Sequence, residues 1–196
     1  MAMHKLIFAS HNAHKTKEIA AIFNGLFQIA SLHDIGFFEE IIESGDTLEE
    51  NAAIKANAVY GATQLDCFAD DTGLMVDALD GKPGVYTARY AGPERDANLN
   101  NQKLLFELQN HTNRTASFVT IIHLIFNGKS YQFKGELKGY IAQEAQGTEG
   151  FGYDPIFVPL GSDRTLAQMS LLEKNQLSHR AKAFQQMLQF FKEELT

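Results

Sequence analysis

Cysteine is nearly absent from this chain: Cys67 stands alone among 196 residues. An intrachain disulfide is therefore excluded, and its apolar surroundings, with Leu65 and Phe68 nearby, suit a small buried hydrophobe better than a nucleophile. Long hydrophobic runs are also missing. No segment approaches the roughly 18 apolar residues of a membrane span, and Leu6-Ile7-Phe8-Ala9 is too short for a signal sequence. The expectation is a cytoplasmic protein with no membrane partner. Basic charge is scarce: 17 Lys and Arg stand against 24 Asp and Glu, for a net charge of −7. Nucleic-acid binders carry a basic stripe, and none is visible, so a long polyanion is not the expected partner. A small anionic substrate stays possible, because a few cations gathered in one place set the local potential whatever the total. Repeats, low-complexity tracts and Pro/Gly/Ser linkers are lacking too, so residues 1–196 read as a single domain.

The residues that are present are ordinary for a globular chain, at 44% hydrophobic and 21% charged, and a chain of this length buries about 70% of its unfolded surface. Lys5 to Ala9 reads as a strand, and Lys15 to Phe23 as a helix with Ile19, Ile22 and Phe23 on its apolar face. Thr47-Leu48-Glu49-Glu50 has the form of a capping box and opens a helix to about Ala62, and a further helix is expected over Ala97 to Gln109. Leu65 to Ala69 and Leu74 to Val76 read as short strands on either side of an acidic turn. Ser117 to Phe126 is apolar on both faces, Asn127-Gly128 is a hairpin turn, and the following strand alternates Tyr131, Phe133, Gly135 and Leu137 against Gln132, Lys134, Glu136 and Lys138. Ser178 caps a last helix carrying Ala181, Phe184, Leu188 and Phe191 at helical spacing. This order implies an α/β fold whose sheet includes a long antiparallel hairpin.

Five stretches carry polar residues in patterns that suit chemistry. Asp70-Asp71-Thr72-Gly73 sets two carboxylates at a strand end, which costs free energy unless a proton or a hard cation such as Mg²⁺ compensates; a solvated turn is the competing reading. Ser10-His11-Asn12-Ala13-His14-Lys15 joins the first strand to the first helix, where backbone N–H groups and Lys15 suit an anion, or merely cap the helix. His11 and His14 have no further His or Cys cluster to complete a zinc site. Asn51 and Lys55 share one helix face, with Glu43 in the loop before it, either addressing one site or forming a surface ion pair. Gly147 to Pro155 brings three glycines, Phe151, Tyr153 and Asp154 into one span, enough to stack on a flat heterocycle and accept from its edge, or to plug a tight turn. Lys174, His179 and Arg180 gather near the start of the last helix, where cations oppose the dipole and an anion would compensate them.

Read together, Ser10 to Lys15, Glu43-Ser44-Gly45-Asp46-Thr47 with Glu50-Asn51-Ala52 and Lys55-Ala56, Ala69 to Leu74, Pro83 to Tyr90, Gly150 to Phe157, and Glu173-Lys174-Asn175 with Ser178-His179-Arg180 resemble the inosine/xanthosine triphosphate pyrophosphatase family over nearly the whole chain. The resemblance implies Mg²⁺-dependent hydrolysis of ITP, dITP and XTP to the monophosphate and pyrophosphate. It also implies a homodimer and an elongated mixed α/β sheet with flanking helices and two lobes around a central cleft. It assigns Asp71 as general base, and Glu43, Asp71 and Asp70 as metal ligands. Ser10, His11, Asn12, Lys15, Lys55 and Thr72 would line the phosphates, and Phe151, Gly152, Tyr153, Asp154, Lys174, His179 and Arg180 would recognise base and sugar. The chain departs from the family pattern at Ser10-His11, where Thr-Gly is common, and at Thr72, where Ser is common. Two rivals share these motifs: a pyrophosphatase for pyrimidine or methylated nucleotides, and a nucleotide sensor without turnover.

Overall fold

The computed structural model of the chain describes residues 4–11, Thr16, Ile19, Phe23 and residues 27–194. Its strands are β1 (His4–Phe8), β2 (Phe27–Ser31), β3 (Cys67–Val76), β4 (Pro83–Gly84), β5 (Thr115–Phe126), β6 (Lys129–Ile141) and β7 (Phe157–Pro159). They form one seven-stranded sheet in the order β2-β1-β3-β5-β6-β7, with β4 paired to β3. β1 runs parallel to both β2 and β3, whereas β3–β4 and β6–β7 are antiparallel, so the sheet is mixed as expected. The flanking helices include α1 (Leu48–Thr63), α2 (Ala97–Glu107), α3 (Leu171–Leu177) and α4 (His179–Glu194). The chain divides into two compact units, the first made of residues 1–71, 121–133 and 184–196, the second of residues 72–120 and 134–183.

In the first unit, Leu6, Ile7 and Phe8 are all fully buried, as a strand covered on both faces requires. Phenylalanine supplies much of the remaining core. Phe8 stacks on Phe68 at 4.9 Å between centroids, and Phe23, Phe184 and Phe191 meet edge to face around them. Such pairs add about 0.5–1.5 kcal/mol each beyond area burial. The capping box at Thr47 is formed: its Oγ1 accepts from the Glu50 N–H (3.1 Å), and Glu50 Oε2 accepts from the Thr47 N–H (3.2 Å). A cap of this kind contributes about 1 kcal/mol and fixes where α1 begins. Ala56 and Val59 of α1 then pack with Ile7, Cys67 and Ala69. Burial pushes the Cys67 thiol up to about 12, which keeps it protonated and inert. Asn127 (φ 51°) and Gly128 (φ 72°) both take the left-handed conformation that a two-residue hairpin turn needs.

The second unit has its own core of Leu74, Val76, Leu104, Leu108, Phe118, Leu137, Ile141, Tyr153 and Phe157. Asp96 caps α2, its Oδ1 accepting from the N–H groups of Asn98 (2.8 Å) and Leu99 (3.0 Å). α2 ends at Glu107, two residues before the expected Gln109, a difference within ordinary fraying of a last turn. Ser178 caps α4 as its position predicts, with Oγ accepting from the Ala181 N–H at 3.3 Å.

Several expectations need correction. Asp70-Asp71-Thr72-Gly73 is not a turn between two strands, since β3 runs unbroken from Cys67 to Val76. β3 lies between β1 and β5 in the sheet, pairing with β1 at Cys67 and Phe68 and with β4 at Leu74 and Met75, and extended backbone between these anchored ends overrides the turn preference of Asp, Thr and Gly. β2 and α3 were not anticipated at all, and Lys174 belongs to α3 rather than to the last helix. The helix expected over Lys15 to Phe23 falls largely outside the described residues, of which Thr16 and Ile19 are helical and Phe23 lies in a turn. No helix among the described residues is long and apolar enough to cross a membrane.

Candidate active site

Two groups of the expected site residues are assembled, one in each unit. In the first unit, Lys55 projects from the second turn of α1, and the loop before that helix returns Glu43 to meet it. Lys55 Nζ donates to Glu43 Oε2 at 2.8 Å and stands 3.6 Å from Asp71 Oδ1 on β3. One ammonium is thus shared by two carboxylates that are 28 residues apart in sequence. The loop is held by Asn51, whose buried Oδ1 accepts from the Gly45 N–H at 2.8 Å, one turn of helix before Lys55. Burial by itself would lower the Lys55 pKa, but Asp71, Glu43 and Asp70 together outweigh it and hold the ammonium above its ordinary value. Lys55 is therefore charged at neutral pH, and the group of four carries more negative than positive charge.

Among the described residues, no three His, Cys, Asp or Glu side chains are gathered as a ready-made metal cage. The donor chemistry nevertheless fits a hard divalent cation. Glu43, Asp70 and Asp71 offer carboxylate oxygens alone, and Mg²⁺ is ordinarily held by one or two carboxylates plus substrate phosphates rather than by an all-protein shell.

In the second unit, the Gly147 to Pro155 stretch is a loop leading into β7, and its carboxylate is already engaged. Lys174 Nζ donates to Asp154 Oδ2 at 2.5 Å, and the same oxygen accepts from the Phe151 N–H at 3.1 Å. The partner that compensates Lys174 is thus a neighbouring carboxylate. Gly150 (φ +88°) shows why glycine recurs here, since a Cβ at that position would run into Asp154 Oδ2 and Lys174 Nζ. Tyr153 is buried and its hydroxyl donates to the Thr87 carbonyl at 2.9 Å, whereas Phe151 is 78% exposed, with Lys174 Nζ over its ring at 6.0 Å from the centroid. His179 stacks on Phe118, with centroids 5.1 Å apart and planes 13° from parallel, beside Arg180 at the start of α4.

The other expected residues are placed as follows. Thr72 lies on β3, its hydroxyl bonded to that of Thr120 at 2.8 Å. Ser10 is half-buried just beyond β1. His11 is exposed and its Nε2 donates to the Glu39 carbonyl at 3.3 Å. Asn12 and Lys15 lie outside the described residues.

Three residues that support these groups were missed by the sequence reading. Thr87 Oγ1 accepts from the Leu74 N–H and donates to the Gly84 carbonyl, Asn100 ties Ala88 to Ala91, and Asn101 reaches Gly152. A signal for the last two did exist. Asparagine is a weak helix former, and Asn98, Asn100 and Asn101 crowd one helix, which suggests amides retained for their bonds. A separate hollow of about 680 Å³ in the second unit, walled by Lys82, Tyr86, Arg89, Tyr90, Lys103 and Glu107, holds none of the expected residues. Two of its three cations lie over tyrosine rings, Arg89 over Tyr86 and Lys103 over Tyr90.

Comparison with known proteins identifies the family of the chain. The Ham1 family model matches residues 6–190. A dITP/XTP pyrophosphatase of Flavobacterium johnsoniae is 50% identical over 184 residues, covering 94% of this chain and 96% of that protein. A dITP/XTP pyrophosphatase of Bacillus subtilis is 44% identical over 189 residues, covering 94% and 96%. The Ham1 protein of Staphylococcus aureus superposes with a TM-score of 0.93 at 38% identity, covering 97% of this chain and 99% of that one. On a family match across nearly its full length and a shared fold at this level of identity, the chain belongs to the Ham1 family.

Proposed function

We propose that the protein is a nucleoside triphosphate pyrophosphatase that removes non-standard purine nucleotides. It would hydrolyse ITP, dITP and XTP between the α and β phosphates, releasing the monophosphate and pyrophosphate and so cleansing the nucleotide pool. The observation that carries this reading is the convergence of Glu43 and Asp71 on Lys55, in a chain whose relatives bear the name dITP/XTP pyrophosphatase. The whole chain would act as one catalytic domain, as a cytoplasmic homodimer, on a small nucleotide rather than on nucleic acid.

A triphosphate repels an attacking hydroxide, so catalysis rests on neutralising charge and on placing a water in line with the α phosphorus. Glu43, Asp71 and Asp70 would hold Mg²⁺. When bound, that ion supplies charge neutralisation to the phosphates. Lys55, kept cationic by its neighbours, donates to a phosphate oxygen, joined by Ser10, His11, Asn12, Lys15 and Thr72. Asp71 takes the proton from the attacking water. On the base side, the exposed Phe151 ring stacks on the purine, while the Asp154–Lys174 pair, His179 and Arg180 surround its polar edge and the sugar. Hypoxanthine and xanthine carry a 6-oxo acceptor beside an N1–H donor, and adenine presents the reverse. A site built for the oxo form leaves its own groups unpaired against adenine, and that is how rejection arises.

The test is product analysis with dITP, ITP, XTP, GTP and ATP, with Mg²⁺ and with EDTA. Equimolar pyrophosphate and monophosphate from the inosine and xanthosine nucleotides, lost in EDTA, is the expected result. Release of orthophosphate, or equal cleavage of ATP, overturns the bond or the selectivity assigned.

A further inference from the structure

Asn101 is a buried polar residue that the reaction as described leaves unused. It lies in the middle of α2, 6% exposed, and its Nδ2 donates to the Gly152 carbonyl at 3.0 Å, 51 residues away. Its Oδ1 is also buried and has no hydrogen-bond partner among the described residues. The amide orientation is fixed by this contact, because the opposite flip would set two acceptors face to face. For stability alone, the choice is poor. Asparagine is a weak helix former, a buried acceptor left unpaired is destabilising, and leucine would serve α2 better on both counts.

What Asn101 does achieve is to hold one peptide of the loop. Phe151 is anchored through its N–H to Asp154 and Tyr153 through its hydroxyl to Thr87, and Gly152 between them is tied through its carbonyl to Asn101. In a trans peptide the carbonyl and the following N–H point in opposite directions, so pinning the Gly152 carbonyl also fixes which way the Tyr153 N–H faces. We propose that Asn101 is a positioning residue for base selectivity, orienting the Gly152–Tyr153 peptide so that the loop presents one donor pattern to a 6-oxo purine. This rests on the pyrophosphatase reading above.

Two variants test it. Asn101→Leu removes the donor and suits the helix, and Asn101→Asp keeps the volume but turns a carboxylate toward the Gly152 carbonyl. With dITP, both are expected to raise KM about tenfold, the worth of one lost neutral hydrogen bond, with kcat held within about twofold. The ratio of kcat/KM for dITP over dATP should narrow by a similar factor. Asn101→Leu should melt at or above the temperature of the unsubstituted protein, a combination that a purely structural role does not produce. If the unsubstituted protein cleaves dITP selectively and either folded variant matches it in KM and in that ratio, the role assigned to Asn101 is wrong while the function stands. If the unsubstituted protein releases no pyrophosphate from dITP, the functional reading fails and this inference fails with it.

Discussion

The two lysine–carboxylate groups differ in how their charge closes. In the second unit, Lys174 and Asp154 form a one-to-one pair, both largely buried, and the carboxylate oxygen is satisfied further by the Phe151 N–H. In the first, Lys55 faces Glu43, Asp71 and Asp70, so the ammonium is outnumbered and Glu43 remains partly exposed. A balanced, desolvated pair holds a loop in one shape. An unbalanced group keeps negative charge in reserve for a cation or a proton, which is what a hydrolytic centre requires. Under the proposed function, chemistry would fall to the Lys55 group of the first unit and base recognition to the Lys174 pair of the second, and each assignment can be broken separately.

The largest effect is expected at Asp71. Replacing it with Asn keeps the volume and removes the proposed base, so turnover on dITP should fall by about 10² to 10⁴ while the far-ultraviolet circular dichroism is unchanged. Asp154→Asn should not reproduce that loss in kcat. Equal kcat losses in the two variants would erase the distinction between the groups.

Next in size is the stability of the pair itself. Removing one partner of a buried ion pair leaves an uncompensated charge and costs about 3 kcal/mol, so Asp154→Asn and Lys174→Met should each lower the urea midpoint clearly. The double variant should recover much of that loss, since neither charge is then stranded. Additive losses in the double variant would mean that the 2.5 Å contact is not energetically coupled in solution.

How far these groups could be read from sequence depends on the range of the interactions that make them. Thr47 and Glu50 announce a helix start three residues apart, and Asn127-Gly128 announces a hairpin within two, so α1 and the β5–β6 turn were legible. β2 and the continuity of β3 were not, because both depend on neighbouring strands that are remote in sequence: β2 pairs with β1 at residues 23 positions away, as His4 with Phe27. The same limit applies to the sites. Glu43 and Lys55 lie on one loop and helix start and could be linked in advance. Lys174 read as a cation in need of an anion, but its partner Asp154 is 20 residues off, and Asn101 is 51 residues from Gly152. Residue type gave the kind of partner each group needs, and only the fold supplies which residue meets it.

The smallest effect sharpens the first unit's side of the comparison through pH. Lys55 is held above its ordinary value of 10.5 in the folded chain. Below that pH both folded and unfolded chains carry the proton, and the ion pairs contribute fully. Above it the unfolded chain loses the proton first, so the contribution declines as pH rises toward and through the folded value. Cys67 acts in an overlapping window, because its thiol moves from 9.0 to about 12 on folding and also removes stability as pH climbs. That second effect is common to the unsubstituted protein and to Lys55→Met, so the difference between their urea midpoints isolates the lysine. The difference should be constant from pH 7 to about 9 and shrink above about 10.5. A gap that stays the same through pH 11 would mean that Lys55 is not held in its charged form by the carboxylates, and with that the surplus of negative charge assigned to the first unit would lose its basis.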